Sequence, residues 1–448
     1  MSQPARNNGI IAGRLNSEQY SKNFDDLHPA LEPHEALVAA DRCYFCYDAP
    51  CVTACPTEID IPLFIRQIST GTPEAAAKTI LSQNILGGMC ARVCPTETLC
   101  EEACVREKAE GKPVEIGRLQ RFATDKLMKE DIHPFERLAE TGKKIAIVGA
   151  GPAGLACAHR LAMYGHNVSV FDNRQKAGGL NEFGIAAYKA TNDFAAEEVK
   201  WLMKIGGIKL ELGKELGKDV SLDVLKSSFD AVFIACGLPD VNVLGVSGEE
   251  KENVEDAISF ISRLRQVEDL SELPVGRHVV VIGGGMTAVD AAVQSKLLGA
   301  EQVHLVYRRG KESMKASKYE QNVAASRGVN IMTNAQPIAI LGDKAVEEVE
   351  FIYTENDNGN IIESNENFRL KADQVFKAIG QKNEIITGSL TLKSGKVVID
   401  NNGKTSIPGV WAGGDCVGSG EDLTVTAVAQ GRDAAEDIHK EIKNQEIE

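Results

Sequence analysis

The sequence predicts a mixed fold, in which a helical, cysteine-rich N-terminal region precedes two α/β units of the same topology. Eight of the 11 cysteines lie between Cys43 and Cys104, where short helical stretches occur and no strand pattern is clear. A buried strand, a glycine-rich turn, a helix and a second strand follow at residues 143–172, and the same succession returns at residues 278–309. The two turns begin 134 residues apart, which indicates a repeated domain.

Composition excludes several classes of protein. The chain has 448 residues, which at roughly 150 residues per domain predicts about three domains. Its 64 acidic and 49 basic side chains give a net charge of −15, which argues against a nucleic-acid partner. No apolar run approaches the roughly 18 residues that a membrane span needs. The N-terminus lacks the pattern of a secretory signal, so we expect a cytoplasmic protein whose clustered cysteines bind metal.

The pattern along the chain predicts three domains, one of them inserted in another. The runs DAVFIACG and DQVFKAIG, at residues 230–237 and 373–380, resemble each other, and each is typical of a buried strand. Two strand-like runs flank Asn358-Gly359, which predicts a β-hairpin. We therefore expect a helical domain at residues 1–140, one nucleotide-binding domain at residues 141–260 and 381–448, and a second nucleotide-binding domain at residues 261–380.

The first glycine-rich turn has the G-x-G-x-x-G form between a strand and a helix. Such glycines permit a tight turn and close approach of a pyrophosphate, and the helix N-terminus offers free N–H groups to it. Asp172 ends the second strand 18 residues after Gly154, where a carboxylate binds a ribose hydroxyl. The predicted dinucleotide-binding residues are Gly149, Ala150, Gly151, Pro152, Ala153, Gly154 and Asp172.

The second turn is a G-x-G-x-x-A variant, and its second strand ends in Arg308 and Arg309 in place of an acid. Arginine pairs with a 2′-phosphate through charge-assisted hydrogen bonds, and Lys315 follows closely, so this site favours NADP(H). The alternative is that both arginines are solvated surface charges. The sequence therefore leaves the choice between NAD(H) and NADP(H) open. The turn residues predicted to bind this nucleotide are Gly283, Gly285, Met286, Thr287 and Ala288.

Two dinucleotide sites in one chain suggest hydride transfer from a nicotinamide to a flavin. The segment WAGGDCVGSGEDLTV supports a flavin, because Asp415 can bind a ribityl hydroxyl and a helix beginning near Thr424 can direct its N-terminus at the flavin. The alternative for Gly413-Gly414-Asp415 is an ordinary turn.

This arrangement resembles the flavoprotein reductases that insert a nucleotide domain into an FAD domain. Thioredoxin and glutathione reductases in that group carry a redox cysteine pair beside the flavin. Cys157, Cys236 and Cys416 are isolated in the sequence, which predicts that no such pair exists and that electrons leave by another route.

The cysteine-rich region contains two runs of four cysteines. Zinc binds four tetrahedral ligands, commonly as two separated close pairs. Iron–sulfur clusters take four thiolates, and ferredoxin runs end in Cys-x₃-Cys-Pro, which Cys51, Cys55 and Pro56 match. Spacing therefore favours two [4Fe–4S] clusters over zinc, and nominally supplies eight ligands, which are Cys43, Cys46, Cys51, Cys55, Cys90, Cys94, Cys100 and Cys104.

Three stretches make the resemblance more specific. RCYFCYDAPCVTACPTEIDIPLFIRQI, GGMCARVCPTETLCEEACVRE and IGRLQRFATDK resemble the electron-input part of dihydropyrimidine dehydrogenases, above all the separate flavoprotein subunit of the bacterial enzymes. More broadly the chain is similar to the small subunit of NADPH-dependent glutamate synthase. The resemblance spans about residues 30–440 and implies interleaved clusters, with Cys90 as a bystander. One cluster takes Cys43, Cys46, Cys51 and Cys104, and the other takes Cys55, Cys94, Cys100 and the side-chain oxygen of Gln120.

The same resemblance implies further nucleotide contacts. Lys189 and Lys315 stand where the mammalian enzyme has arginine, and lysine lacks the bidentate fork of a guanidinium. FAD is expected on Gly149 to Ala153, Asp172, Gly179, Leu180, Lys189 and the segment from Gly414 through Asp415 to Thr424. NADP(H) is expected on Met286, Thr287, Ala288, Arg308, Arg309, Lys315 and the segment from Ala378 to Gly380.

The resemblance also implies a function. NAD(P)H would reduce FAD, with no acid–base catalytic residue, and two [4Fe–4S] clusters would pass the electrons to an FMN-containing catalytic subunit that reduces uracil or thymine. Two alternatives stay open. The chain could be a glutamate synthase small subunit, or a diaphorase with a zinc-bound docking domain.

Overall fold

A computed structural model of the chain describes residues 9–357, 360–382 and 390–445. These residues form two compact units. The insert unit contains the described residues up to Leu27, together with Phe183–Thr191 and Val241–Gln381. The main unit contains His28–Glu182, Asn192–Asp240 and the described residues from Lys382 onward. The predicted domain limits at residues 140, 260 and 380 stay a prediction.

Helices make up most of the cysteine-rich region, as the sequence predicts. Several of them begin at a proline, whose fixed φ angle suits the first helical turn. No helix in the described ranges combines the length and apolar character that crossing a membrane requires. The described α-helices are α1 Ser17–Asn23, α2 Pro33–Asp41, α3 Pro50–Thr53, α4 Ile61–Ser69, α5 Pro73–Gln83, α6 Gly87–Val93, α7 Val105–Glu110, α8 Ile116–Lys129, α9 Pro152–Met163, α10 Leu180–Phe183, α11 Phe194–Leu202, α12 Leu222–Ser228, α13 Ala257–Gln266, α14 Met286–Leu297, α15 Lys318–Ser326 and α16 Thr424–Gln445.

Strands occur mainly after residue 143, where the apolar runs of the sequence predict them. Only one short strand precedes that point in the described residues. The described strands are β1 Ile10–Ile11, β2 Lys144–Val148, β3 Asn167–Asp172, β4 Ile208–Leu212, β5 Ala231–Ile234, β6 Asp240–Val241, β7 Val254–Asp256, β8 Val275–Gly276, β9 His278–Gly283, β10 Gln302–Tyr307, β11 Asn330–Thr333, β12 Ala335–Leu341, β13 Glu348–Asp357, β14 Asn360–Lys371, β15 Gln374–Ala378, β16 Gln381–Lys382, β17 Leu392–Lys393, β18 Lys396–Val397 and β19 Val410–Ala412.

Each unit contains one parallel five-stranded sheet, and the two sheets have equivalent strand orders. The order is β19-β5-β2-β3-β4 in the main unit and β7-β15-β9-β10-β11 in the insert unit. In both sheets the strand before the glycine-rich turn is central, because β2 lies between β5 and β3 as β9 lies between β15 and β10. The predicted repeat of one α/β topology is therefore confirmed.

The insert unit adds an antiparallel sheet of order β12-β13-β14. Strands β13 and β14 form the predicted hairpin, with Asp357 paired to Asn360. The predicted turn residues, Asn358 and Gly359, lie outside the described residues.

One hydrophobic core runs through the main unit. It joins side chains of the cysteine-rich helices, such as Phe64 and Leu119, to side chains of the sheet and of α16, such as Ile147 and Ile438. The helical region is therefore packed into the same unit as the first α/β sheet.

We predict unequal losses of stability for two glycine substitutions in the second turn. Gly283 has φ +152°, and a Cβ there would overlap the carbonyl oxygen of Ala378, whereas a Cβ at Gly285 meets no atom within 4 Å. Gly283→Ala should lower the free energy of unfolding by about 3 kcal/mol or more, and Gly285→Ala by about 1 kcal/mol or less. Denaturant titration of the two variants measures the difference, and equal losses would contradict this packing.

Candidate functional site

The first glycine-rich turn brings the backbone of α9 close to the sheet. Gly149 has φ +107°, and a Cβ there would overlap the carbonyl oxygen of Ala235. A Cβ at Gly154 would overlap the carbonyl oxygen of Gly149. Pro152 occupies the first turn of α9, so its missing N–H costs no helical hydrogen bond. The turn thus presents a helix N-terminus without side chains in front of it, which suits a pyrophosphate.

Asp172 lies beside this turn, as the sequence predicts. Its carboxylate accepts hydrogen bonds from the backbone N–H of Ala150, at 2.7 Å, and of Arg174, at 2.8 Å. These contacts fix the carboxylate at the end of β3 and leave further lone pairs on both oxygens. A ribose hydroxyl is a donor that such a carboxylate can accept.

Two other predicted flavin-binding segments meet the first turn. The N–H of Gly178 donates to the carbonyl of Ala150 at 2.8 Å, and a Cβ at Gly179 would lie 2.6 Å from the Cα of Gly151. The hydroxyl of Thr424, at the start of α16, donates to the side-chain oxygen of Asn181 at 2.9 Å. Leu180 begins α10 and lies in the sequence between Gly179 and Asn181, the two residues that make these contacts.

The segment before α16 also approaches this turn. Gly414 has φ +78°, and a Cβ there would lie 3.1 Å from the Cβ of Ala153. Its N–H donates to the side-chain oxygen of Gln430 at 2.7 Å. Burial, with the nearby Asp422, raises the pKa of Asp415 to about 6. A carboxyl with this pKa is suited to hydrogen-bond a hydroxyl group in a water-poor site.

Lys189 differs from the other predicted FAD residues, because it belongs to the insert unit. Its ammonium forms ion pairs with Asp290, at 2.8 Å, and with Glu320, at 2.6 Å. The hydroxyl of Tyr188 donates to the same Asp290 carboxylate at 3.0 Å. Two carboxylates already balance the charge of Lys189, so its contact with FAD stays a prediction.

The second turn repeats the geometry of the first. A Cβ at Gly283 would overlap the carbonyl oxygen of Ala378, the last residue of β15. In the first turn the equivalent overlap is with Ala235, which directly follows β5. The N–H of Ala316 donates to the carbonyl of Gly284 at 3.1 Å, which places the loop of Lys315 beside the turn. Gly380 has φ +97° and follows the same strand.

Three predicted cations of this site are available to a ligand. Arg308 and Lys315 are exposed, and Arg309 is half-buried. Within the described ranges their side chains have no hydrogen-bond or ion-pair partner. The residues after β10 therefore present uncompensated positive charge directly after Tyr307, the residue that the strand register aligns with Asp172.

The eight clustered cysteines surround two cavities in the main unit. The thiols that line the first cavity are Cys43, Cys46, Cys51 and Cys104. The lining of the second cavity includes Cys55, Cys90, Cys94, Cys100 and Gln120. The structure therefore brings together the same interleaved sets that the resemblance implies, with Cys90 as an additional thiol.

Gln120 is oriented by a backbone contact. Its side-chain N–H donates to the carbonyl oxygen of Gly87 at 2.7 Å. That bond occupies the nitrogen and leaves the amide oxygen as the atom that can serve as a ligand in the cavity.

Burial changes the protonation of the clustered thiols. Burial raises the pKa of Cys51 to about 12, and burial also raises the pKa of Cys43 and of Cys100. Hydrogen bonding to the Cys90 thiol, together with burial, raises the pKa of Cys94. Such thiols keep their protons at neutral pH unless a bound metal centre displaces those protons. The donor set fits iron–sulfur clusters, which bind thiolates.

The second cavity adjoins the predicted flavin segment. Val425, the second residue of α16, lines it together with the cysteines. Arg432 on the same helix donates to the carbonyl oxygen of Thr57 at 2.7 Å and to the side-chain oxygen of Gln83 at 2.8 Å. Sequence reasoning missed Arg432, because no local pattern indicates a contact across more than 340 residues.

A second missed feature corrects a prediction. Cys236 and Cys416 are far apart in the sequence, but the Cys236 side chain packs against the hydrophobic cluster that contains Cys416. The inference that separation in the sequence excludes a cysteine pair was therefore wrong. A usable signal was present, because each cysteine closely follows a buried strand of the same sheet.

Comparison with known proteins agrees with this arrangement. The family model described as pyridine nucleotide-disulphide oxidoreductase matches residues 143–431. The model described as dihydropyrimidine dehydrogenase domain II, 4Fe-4S cluster, matches residues 20–132.

Curated relatives match most of the chain. It is 33% identical to the NAD-dependent dihydropyrimidine dehydrogenase subunit PreT of Salmonella typhimurium, over 93% of this chain and 96% of that protein. It is 34% identical to the small chain of glutamate synthase [NADPH] of Escherichia coli, over 93% of each.

A solved structure shares the fold. FprA of Mycobacterium tuberculosis in complex with NADPH superposes with a TM-score of 0.57 at 19% identity, over 68% of this chain and 85% of that one. The matches make this protein an NAD(P)-dependent flavoprotein oxidoreductase that uses FAD and a 4Fe–4S domain. The chain therefore belongs to the pyridine nucleotide-disulphide oxidoreductase family, and it carries the 4Fe-4S domain of dihydropyrimidine dehydrogenase near its N-terminus.

Proposed function

We propose that this chain is the electron-input subunit of a dihydropyrimidine dehydrogenase. It oxidises NAD(P)H and delivers the electrons to a separate FMN-containing catalytic subunit, which reduces uracil or thymine. The observation that carries the proposal is the pair of thiol-lined cavities, one of which shares Val425 with the helix of the flavin segment. A bound FAD would supply hydride chemistry with the nicotinamide, and bound iron–sulfur clusters would supply one-electron chemistry.

The proposed residue roles follow from the geometry of the main unit. The turn from Gly149 to Gly154 would hold the pyrophosphate of FAD, and Asp172 would accept a hydrogen bond from its ribose. Asp415 would hydrogen-bond a hydroxyl of the ribityl chain, and the helix that begins at Thr424 would offer its N-terminus to the flavin. These roles need no acid–base residue, because the task of the protein in hydride transfer is to orient two rings and exclude water.

We propose one cluster in each cavity. Cys43, Cys46, Cys51 and Cys104 would hold the first cluster. Cys55, Cys94, Cys100 and Gln120 would hold the second. The match of residues 20–132 to a 4Fe-4S domain favours iron–sulfur over the zinc alternative. A reducing compartment such as the cytoplasm suits these free thiols.

The first cavity is the proposed exit for electrons. Tyr44 and Val105 line it and are exposed, and Tyr47, which follows the lining residue Cys46 in the sequence, is fully exposed. We call these three residues the exit patch. Exposed aromatic and aliphatic side chains of this kind are typical of a protein–protein contact. The electron-accepting subunit would dock there.

A second candidate function is supported by one observation. The chain is as similar to a glutamate synthase small chain, at 34% identity, as it is to PreT, at 33%. Both candidates share the oxidation of NAD(P)H and differ in the subunit that receives the electrons.

Iron content tests the two clusters. We expect about eight iron and eight sulfide ions per wild-type chain. Cys100→Ser should lower the iron content to about four, because it removes a ligand of the second cluster. Cys90→Ser is the matched control, since Cys90 is buried in the same cavity, and it should retain about eight. Zinc without iron, or equal iron loss in both variants, would overturn the ligand assignment.

The nucleotide preference depends on two arginines. Replacing Arg308 and Arg309 together by alanine should raise the KM for NADPH at least about tenfold, because each charge-assisted hydrogen bond to a 2′-phosphate contributes about 1.5–3 kcal/mol. The KM for NADH should change less than about twofold. Arg327→Ala removes an exposed charge elsewhere in the insert unit and serves as the control. An unchanged KM for NADPH in the double variant contradicts the 2′-phosphate assignment.

Reconstitution tests the whole proposal. The purified chain should reduce a small dye with NAD(P)H but should not reduce uracil until the FMN-containing catalytic subunit is added. Tyr47→Glu should lower uracil reduction by the pair at least about tenfold and leave dye reduction unchanged, because it places a charge in the exit patch.

Val224→Glu is the control for this variant, since Val224 is an exposed apolar residue of α12 outside the exit patch. Uracil reduction by the chain alone contradicts the proposal. Glutamate formation with a glutamate synthase large chain, and no activity with the dihydropyrimidine dehydrogenase subunit, would favour the second candidate.

A further inference from the structure

Two cysteines that the proposed function does not use meet at one edge of the main sheet. Cys236 follows β5 by two residues, and Cys416 follows β19 by four. These strands pair in parallel, with Ala412 opposite Ile234, so their carboxyl ends lie side by side. The N–H of Gly413 donates to the carbonyl of Ile234 at 3.0 Å, which continues the pairing toward the cysteines.

At this edge the Cys236 side chain packs against the hydrophobic cluster that contains Cys416. The Cys416 thiol lies 3.3 Å from the carbonyl oxygen of Gly413 and 3.6 Å from that of Ile234. It is also hydrogen-bonded to the Cys236 thiol, a contact that, with burial, raises the pKa of Cys416. Neither cysteine is part of a disulfide, and a bond between them would require the two sulfurs to approach to about 2 Å.

The two cysteines differ in access to solvent. Cys416 is fully buried among apolar side chains such as Val397 and Val417, whereas Cys236 is partly exposed. A small oxidant therefore reaches Cys236 first, and Cys416 is the neighbouring thiol that can resolve the product.

We propose that Cys236 and Cys416 form a reversible intramolecular disulfide, with a hydroperoxide such as hydrogen peroxide as the oxidant. The Cys236 sulfur attacks one peroxide oxygen, the O–O bond breaks, and Cys236 becomes a sulfenic acid while water leaves. The Cys416 sulfur then attacks the Cys236 sulfur, the S–S bond forms, and the S–O bond breaks to release a second water. Two thiols lose two electrons and one peroxide gains them; a dithiol reverses the change.

The bond has a defined structural consequence. It connects β5 to the residue that directly follows Gly414 and Asp415, so it fixes the segment proposed to bind the flavin. Formation of the disulfide does not depend on that proposal, because it requires only the two thiols and the oxidant.

Peptide mapping tests the inference on the full-length protein with its cofactors. Trypsin releases Cys236 in the peptide 227–251 and Cys416 in the peptide 405–432, and each peptide contains one cysteine. After hydrogen peroxide treatment and alkylation in denaturant, mass spectrometry should find at least about half of these two peptides joined. Dithiothreitol should separate them.

Cys157 provides an internal control in the same digest. It is fully buried and lies alone in the peptide 145–160, so it should remain alkylated and unlinked. In Cys416→Ser, dimedone should label Cys236 as a sulfenic acid, because the resolving thiol is missing. The proposal is overturned if clearly less than about half of the two peptides is joined in the wild type. It is also overturned if Cys236 is joined to the cluster cysteines as often as to Cys416.

Discussion

Arg432 on α16 provides the contact on which the proposed electron route depends. Its guanidinium donates to the carbonyl oxygens of Thr57 and Gln83, at 2.7 and 3.1 Å. The hydroxyl of Thr57 in turn contacts the thiol of Cys55 at 3.2 Å. The loop that carries a proposed cluster ligand is thereby held against the helix of the proposed flavin segment. Electron transfer weakens steeply with distance, so a contact that holds these two segments together would favour transfer between the proposed centres.

The two sheets show how one scaffold serves two nucleotides. Equivalent glycines, Gly149 and Gly283, allow equivalent close approaches to Ala235 and Ala378. The difference lies at the end of the next strand, where β3 ends in a carboxylate and β10 is followed by two guanidinium groups. We expect this difference in charge, without a change of fold, to decide which ribose each site accepts.

Local patterns in the sequence predict much of the fold, because a buried strand, a glycine-rich turn and a helix each have a short-range signature. Long-range contacts are beyond such patterns. The pairing of Cys236 with Cys416 depends on which strands become neighbours, and the ion pairs of Lys189 join three separated segments. Gln120 became a candidate ligand only through family resemblance, and the structure then placed it in a thiol-lined cavity.

The proximity of Cys236 and Cys416 changes the argument for the electron exit. Their isolation in sequence no longer excludes a thiol route, so the exit through the N-terminal region rests on the 4Fe-4S domain match and on the two cavities. Electron paramagnetic resonance of the anaerobic protein after addition of NAD(P)H tests this most directly. The account predicts the signal of reduced iron–sulfur clusters, whereas a bleached flavin without that signal would contradict it.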